Sequence, residues 1–335
     1  MAVPTNERLT YGAVGIREDL SNIIYNISPM DTPFVNGCGR GSADNTNFEW
    51  QTDELKQVAM NTQLEGNDYT STAATEPRRL SNYTQISATQ VQSSGTAEAV
   101  DFAGRKSTQA YQLAKRAKEM KRDMEYMLLM GTVKNVGAAG TARETAGFPC
   151  WIGTDDAATS NVVAASTGAG IVNEGSPAVG YPNGTSNSAT GGANTTLTIA
   201  LVNNAVERIW NLGGTPDTIL CNSTVKGTIS SSTVGGAVVA QPYKDAGSKE
   251  SPITAVNAVD VLVTDFGTFK VVPDRFIPAT NVNFIDFDLW SIDYLRPFRT
   301  ETLAKSGDSV KQLLIAEYGL RAKNGNGSGQ IKSAI

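Results

Sequence analysis

The chain has 335 residues, 28 basic against 33 acidic, a formal net charge of −5, and 40% hydrophobic and 7% aromatic residues; this length allows one large or two ordinary domains around a substantial core. It contains no histidine, which removes the commonest general base and metal ligand and the usual partner of a Ser or Cys nucleophile. Its three cysteines, Cys38, Cys150 and Cys221, lie far apart without zinc-ligand spacing and read as small buried hydrophobes in a reducing compartment. An acidic chain lacks the cation excess of sequence-independent DNA binding, and no apolar run approaches the ~18 residues of a membrane span, so a cytosolic protein without cofactor, metal or membrane partner is expected.

In chain order, Ile16, Leu20, Ile23 and Ile24 fall at helix spacing before Ser28-Pro29-Met30-Asp31-Thr32-Pro33, where two prolines end the helix and leave an extended arm. Asn47-Phe48-Glu49-Trp50-Gln51-Thr52 and the stretch from Tyr83 through Val91 both alternate as half-buried strands do, and together they predict a long hairpin. Between them lies a polar tip containing Leu64-Glu65-Gly66-Asn67-Asp68, far longer than the two to five residues usual for a hairpin loop. Such a loop needs a partner surface. The clearest helix spans 105–130: Ala110, Leu113, Ala114, Ala117, Met120, Met124, Met127 and Leu128 step by three and four, and Gly131 supplies the stop. It is a spine of roughly 35–40 Å, with Lys115, Arg116, Lys118, Lys121 and Arg122 on its polar side.

Residues 152–196 shift to Gly, Ala, Ser, Thr and Asn, with Asp155, Asp156 and Glu174 as the charges and no Lys or Arg. They read as an exposed insertion or long loop tolerant of further insertion. A second helix carries Leu201, Ala205 and Ile209 and leads through Gly213-Gly214 into the strand Thr218-Ile219-Leu220-Cys221, which argues for an α+β body. Strands are predicted at 259–263 and 268–272 around Asp265-Phe266-Gly267, and again at 282–287 and 313–318. Gly37-x-Gly39-x-Gly41 lacks the GxGxxG spacing of a dinucleotide loop. Asp53-Glu54 and Asp155-Asp156 are adjacent carboxylates, which in a strand point to opposite faces, and they read as solvated loop charges. An exposed arm and a lone hairpin are marginal in water unless neighbouring copies cover them.

Several stretches resemble the major head proteins of tailed phages with the Hong Kong 97-type (Johnson) capsid fold, in a branch met in short-tailed phages. They are Arg17-Glu18-Asp19-Leu20-Ser21-Asn22-Ile23-Ile24-Tyr25-Asn26-Ile27-Ser28-Pro29, Thr32-Pro33-Phe34, Glu49-Trp50-Gln51-Thr52-Asp53, the spine's end at Lys121-Arg122-Asp123-Met124-Glu125, Asp265-Phe266-Gly267, Asp274-Arg275, Tyr294-Leu295-Arg296-Pro297 and Leu303-Ala304-Lys305. The resemblance covers most of the chain. It implies an α+β fold divided into an N-terminal arm (1–43), an E-loop hairpin (44–92), a peripheral domain with the spine helix (93–151), an axial domain (152–285) and a peripheral sheet with the C-terminal segment (286–335).

The implied role is structural, not enzymatic: self-assembly through hexamers and pentamers into the icosahedral head of a double-stranded DNA phage, in the cytoplasm of a bacterial host. Implied partners are a portal protein, packaged DNA held by weak non-specific contact and, as an option left open, a decoration protein. The chain starts directly at the arm, so a separate scaffolding protein is expected. Some relatives crosslink a Lys to an Asn between subunits, but no motif marks Lys56 for this. An encapsulin-like compartment shell is the alternative in the same fold; a histidine-free carboxylate enzyme such as a glycosidase, and a surface-layer or adhesin subunit, are the alternatives from other classes. The loop acids Glu49, Asp53, Glu54, Glu65 and Asp68 are expected to meet Lys115, Lys118, Lys121 and Arg122 of the spine across subunits, since 44–76 holds seven acids against Lys56 and 105–122 holds seven cations against Glu119.

Overall fold

The computed structural model describes residues 31–53, 55, 58–68, 76–102, 104, 106–154, 156–171, 192–230, 260–305 and 307–335. The elements in order are α1 (Pro33–Gly37), β1 (Gly39–Ser42), β2 (Asn47–Thr52), β3 (Arg78–Tyr83), β4 (Gln85–Ser94), α2 (Gly95–Ala99), α3 (Thr108–Met130), β5 (Val162–Ala164), α4 (Ile199–Asn211), β6 (Thr218–Cys221), α5 (Ser223–Ser230), β7 (Val261–Thr264), β8 (Gly267–Pro273), β9 (Val282–Ile285), β10 (Trp290–Thr302), β11 (Ser309–Ala322) and β12 (Gly329–Lys332). They form a four-stranded sheet in the order β1-β10-β11-β4, a six-stranded sheet in the order β5-β12-β9-β6-β8-β7, and the separate pair β2-β3.

The four-stranded sheet is built on the antiparallel pair β10 and β11, in register from Trp290 opposite Ala322 to Thr302 opposite Gln312. The register shifts between Tyr294 and Arg296 and again between Arg296 and Arg299. Pro297 lies in the second interval, and a residue without an N–H is tolerated in a strand at such an irregularity. The spine helix α3 packs on β4 and β11. Ser107 caps its N-terminus, accepting from the Ala110 N–H. Its C-terminal half is buried through Met120, Met124, Leu128 and Leu129, whereas Ala110 and Ala114 remain exposed.

Helices α4 and α5 cover one face of the six-stranded sheet, where Val202, Ala205, Val206, Ile209, Val225 and Ile229 meet Ile219, Phe269, Val271 and Phe284. Leu220 and Ile285 belong instead to a second core with Phe34, Phe148, Trp151 and Trp290. The Phe148 and Trp290 rings lie 4.9 Å apart and Trp50 and Trp151 5.2 Å apart, so aromatic packing ties β10 and the β2-β3 pair to the segment after α3, and Leu220 and Ile285 bring the six-stranded sheet into the same core.

Four sequence expectations change. The partner of β2 is β3, Asn47 opposite Tyr83 through Thr52 opposite Arg78, whereas β4 leaves the hairpin at Thr84 and pairs with β11. The segment after residue 151 is no surface insertion at its start: Ile152, Val162, Val163 and Ile171 are buried, and β5 lies parallel to β12. Small residues there pack tightly; a side chain at Gly170 would collide with the Ala157 carbonyl. Residues 172–191, including the surface expected around Gly184, lie outside the described residues, as does the helix expected around Ile16 to Ile24. The end of the expected arm folds into the body, with Phe34 and Val35 buried and β1 parallel to β10. Finally, the C-terminal segment is divided, since β12 joins the six-stranded sheet between β5 and β9.

Candidate functional site

The long loop leaves β2 at Thr52 and returns at Arg78. At its described tip Leu64 accepts the Asn67 N–H (3.2 Å), with Gly66 at φ 78° making the turn. Leu55, Val58, Met60 and Leu64 are 79–104% exposed. Four large apolar side chains on this loop are thus left in water.

The root of that loop is rigid. Phe48, Trp50 and Leu80 turn inward and are buried, while Glu49 on the outer face pairs with Arg79 (2.7 Å). Asn82 is buried, its amide donating to the Leu320 carbonyl (2.7 Å) and its oxygen accepting the Ala146 N–H (3.0 Å). At the corner between β3 and β4 the Thr84 hydroxyl donates to Glu317 (2.8 Å). Glu317, 2% exposed, is also bound by Arg143 (2.5 Å) and Arg296 (2.8 Å). One buried carboxylate therefore joins the corner between β3 and β4, β10, β11 and the loop that follows the spine helix.

The spine helix presents fewer free cations than its sequence implied. Arg116 and Lys115 reach Glu119 at 2.7 and 3.9 Å. Lys121 donates to Asn36 Oδ1 (2.7 Å), and the Arg122 guanidinium sits 5.8 Å above the Phe276 ring. Lys115 and Lys118 face solvent. Of the loop acids, Glu65, Asp68 and Asp53 are exposed, Glu49 is held by Arg79, and Glu54 lies outside the described residues. Within the subunit, Lys121 and Arg122 anchor the end of the N-terminal segment and residue 276 to the helix, so the outward set reduces to Lys115 and Lys118.

An interior pair was missed from sequence. Glu125, 0% exposed, accepts the Phe34 and Val35 N–H groups at 2.7 Å each and so caps α1 from the spine helix, a role Thr32 leaves unfilled. Asp274, itself 2% exposed, is a second buried carboxyl close enough for its charge to add to the effect of burial on Glu125. Burial pushes the Glu125 carboxyl up to about 8 and raises Asp274 as well. The signal was a carboxylate placed in the apolar stripe beside Met124 and Leu128.

The charges of this region are paired or solvated, and the three cysteines are sealed. Burial pushes the Cys150 and Cys221 thiols up to about 12 and Cys38 further, leaving no thiolate for nucleophilic attack near neutral pH. Among the described residues no cluster of acids and cysteines could hold a metal ion.

A family model described as the SU10 major capsid protein matches residues 3–334. The major capsid protein of Escherichia phage Phieco32 is 30% identical over 346 residues, 97% of this chain and 96% of that protein. Solved structures with a similar fold include the capsid of a native GTA particle (TM-score 0.63, 15% identity, 97% of this chain and 98% of that one). The cyanophage A-1(L) capsid is another (0.66, 14%, 95% and 97%). The SrpI encapsulin of Synechococcus elongatus PCC 7942 is a more distant one (0.51, 10%, 93% and 92%).

Proposed function

The chain belongs to the SU10 major capsid protein family and has the Hong Kong 97-type fold, and from that premise we propose how this major capsid protein of a tailed phage builds its shell. Subunits gather as hexamers and pentamers, and the long loop of each clasps the next. The supporting observation is the pairing of a rigid, buried root at Asn82 and Thr84 with an apolar loop exposed to solvent. The division into arm, E-loop, peripheral and axial parts, the short-tailed branch, and assembly in the host cytoplasm with a separate scaffolding protein and a portal belong to the same reading. So do weak contact with packaged DNA and an outer decoration protein. The encapsulin alternative shares only the fold; DNA-filled particles distinguish the phage head from it.

The loop carries the test. Removing 47–91 would delete β2, β3 and part of β4, and with them the Asn82 and Thr84 anchors, so the informative deletion is 54–76 closed by a short Gly/Ser linker. The expected product is a folded subunit that forms no shells by negative-stain microscopy. Intact shells from it would sink the clasp.

The acids in the loop's stem are placed in this reading against the outward lysines of a neighbour's spine. Single exposed pairs contribute only about 0–1 kcal/mol, yet several of one sign set register and partner choice. Asp53→Lys with Glu54→Lys should lower particle yield, most at low salt, and Lys115→Glu with Lys118→Glu in the same chain should recover part of it. Wild-type yield from the loop variant alone, measured by sedimentation, would show that the stem charges are incidental.

A further inference from the structure

A cleft of about 580 Å³ lies over β1 and β10, with Trp50 and Gln51 of β2 as one wall. Three cations line it, Arg40, Arg321 and Lys323, against one carboxylate, Asp293. Asp293 is buried and paired with Arg321 (2.5 Å). The Arg321 guanidinium is also held 5.7 and 6.0 Å from the Phe48 and Trp50 rings, and Lys323 donates to the Asp288 carbonyl (2.7 Å). Arg40 is exposed on the edge strand.

Gly41, beside Arg40, explains part of a motif that fits no nucleotide loop. A side chain there would run into the Asp293 carboxylate, whereas one at Gly39 would make only ordinary contacts, so Gly41 is the position that keeps the floor of the cleft open. An open floor with an excess of fixed cations suits an oxyanion, a carboxylate or a phosphate.

We propose that this cleft receives the acidic loop tip of a second copy of the chain, with Glu65 and Asp68 as its carboxylates. The tip from Val58 to Asp68 contains these two acids and no Lys or Arg. A dozen residues on each side of the turn can span at most roughly 40 Å, about twice the radius of gyration of ~20 Å for a compact chain of this length. A tip-to-root contact is heterologous, and repeated with a closing rotation it makes a ring.

The inference rests on the clasp proposed above and deepens it by naming where the tip lands. Its test uses full-length particles carrying Arg40→Cys with Asp68→Cys, treated with a short bis-maleimide. Cys38, Cys150 and Cys221 are buried and give little background. Covalent multimers on a denaturing gel are expected from this pair and not from Lys118→Cys with Asp68→Cys. The opposite pattern overturns the cleft and leaves the clasp standing; no multimers from either pair, in particles that have assembled, overturns the cleft too. Should the cysteine pair not assemble, Arg40→Glu with Lys323→Glu is expected to cut particle yield about tenfold, with recovery on adding Glu65→Lys and Asp68→Lys. Absence of recovery overturns the cleft. Normal shells from the 54–76 deletion overturn the clasp itself.

Discussion

Replacing Glu317 with alanine is expected to lower the subunit's unfolding free energy by about 3 kcal/mol, the lower end of what breaking a buried ion pair costs. The lower end applies because Arg143 and Arg296 each keep about a third of their side-chain surface in water and can solvate the charge they lose. The Thr84 hydroxyl cannot recover so easily, since Thr84 is fully buried and an unsatisfied buried donor carries its own penalty of ~1–3 kcal/mol. Denaturant unfolding of the subunit measures the loss. Glu317→Gln, which keeps an acceptor for Thr84, should lose less than alanine. Equal losses would mean that the ion pairs carry the whole effect and the Thr84 bond none. Since this residue also fixes the corner where the loop begins, shells formed by the alanine variant should be fewer than its residual stability alone allows.

Stability should also fall as pH rises from about 5 to 8 and level off beyond. An unfolded-chain glutamate titrates near ~4.3, while burial holds the folded Glu125 carboxyl up to about 8 beside Asp274. Across that window the folded state keeps a proton that the unfolded chain has released, so unfolding becomes easier by about 1.4 kcal/mol per pH unit. Asp274→Asn removes the neighbouring charge that adds to burial in raising Glu125 and should flatten the slope. Thermal unfolding at pH 5, 6, 7, 8 and 9 compares the two chains, and an identical slope in the variant would show that the pair is not its source. The same profile should appear in protease sensitivity near Phe34, because Glu125 holds that segment through two N–H bonds.

The spine helix was legible because its apolar residues keep a 3.6-residue period over six turns, and α4 because Leu201, Ala205 and Ile209 do the same. The hairpin was half legible. β2 was found, but Arg78 and Arg79 disguise the alternation of β3, and nothing local marks Thr84 as the corner at which the chain changes sheets. The start of the Gly- and Ser-rich stretch was misjudged because small residues serve a tightly packed interior as well as a solvated loop; Asn161, buried and bonded to Gly153, Gly325 and Ser328, belongs to the former. In the site, the loop's acids and the helix's cations could be listed from sequence. That Lys121 and Arg122 are engaged by Asn36 and Phe276 could not, since those contacts join distant parts of the chain. The basic cleft was out of reach for the same reason, drawing Arg40 from one end of the sequence and Asp293, Arg321 and Lys323 from the other.

The loop's root has a consequence for the order of events during synthesis. Residues 53–77 leave the ribosome early, but the groups that stiffen their base come late: Asn82 waits for Leu320, Thr84 waits for Glu317, and β4 has no partner strand until β11 is made. Pairings this far apart in the chain form slowly, after most of the loop-closure entropy has been overcome. A nascent subunit therefore carries its clasp unsprung, and the clasp becomes a fixed lever only when the same strands that finish the body have emerged. Completion of the fold and readiness to grip a neighbour are thereby one event, timed by the last strands of the sheet.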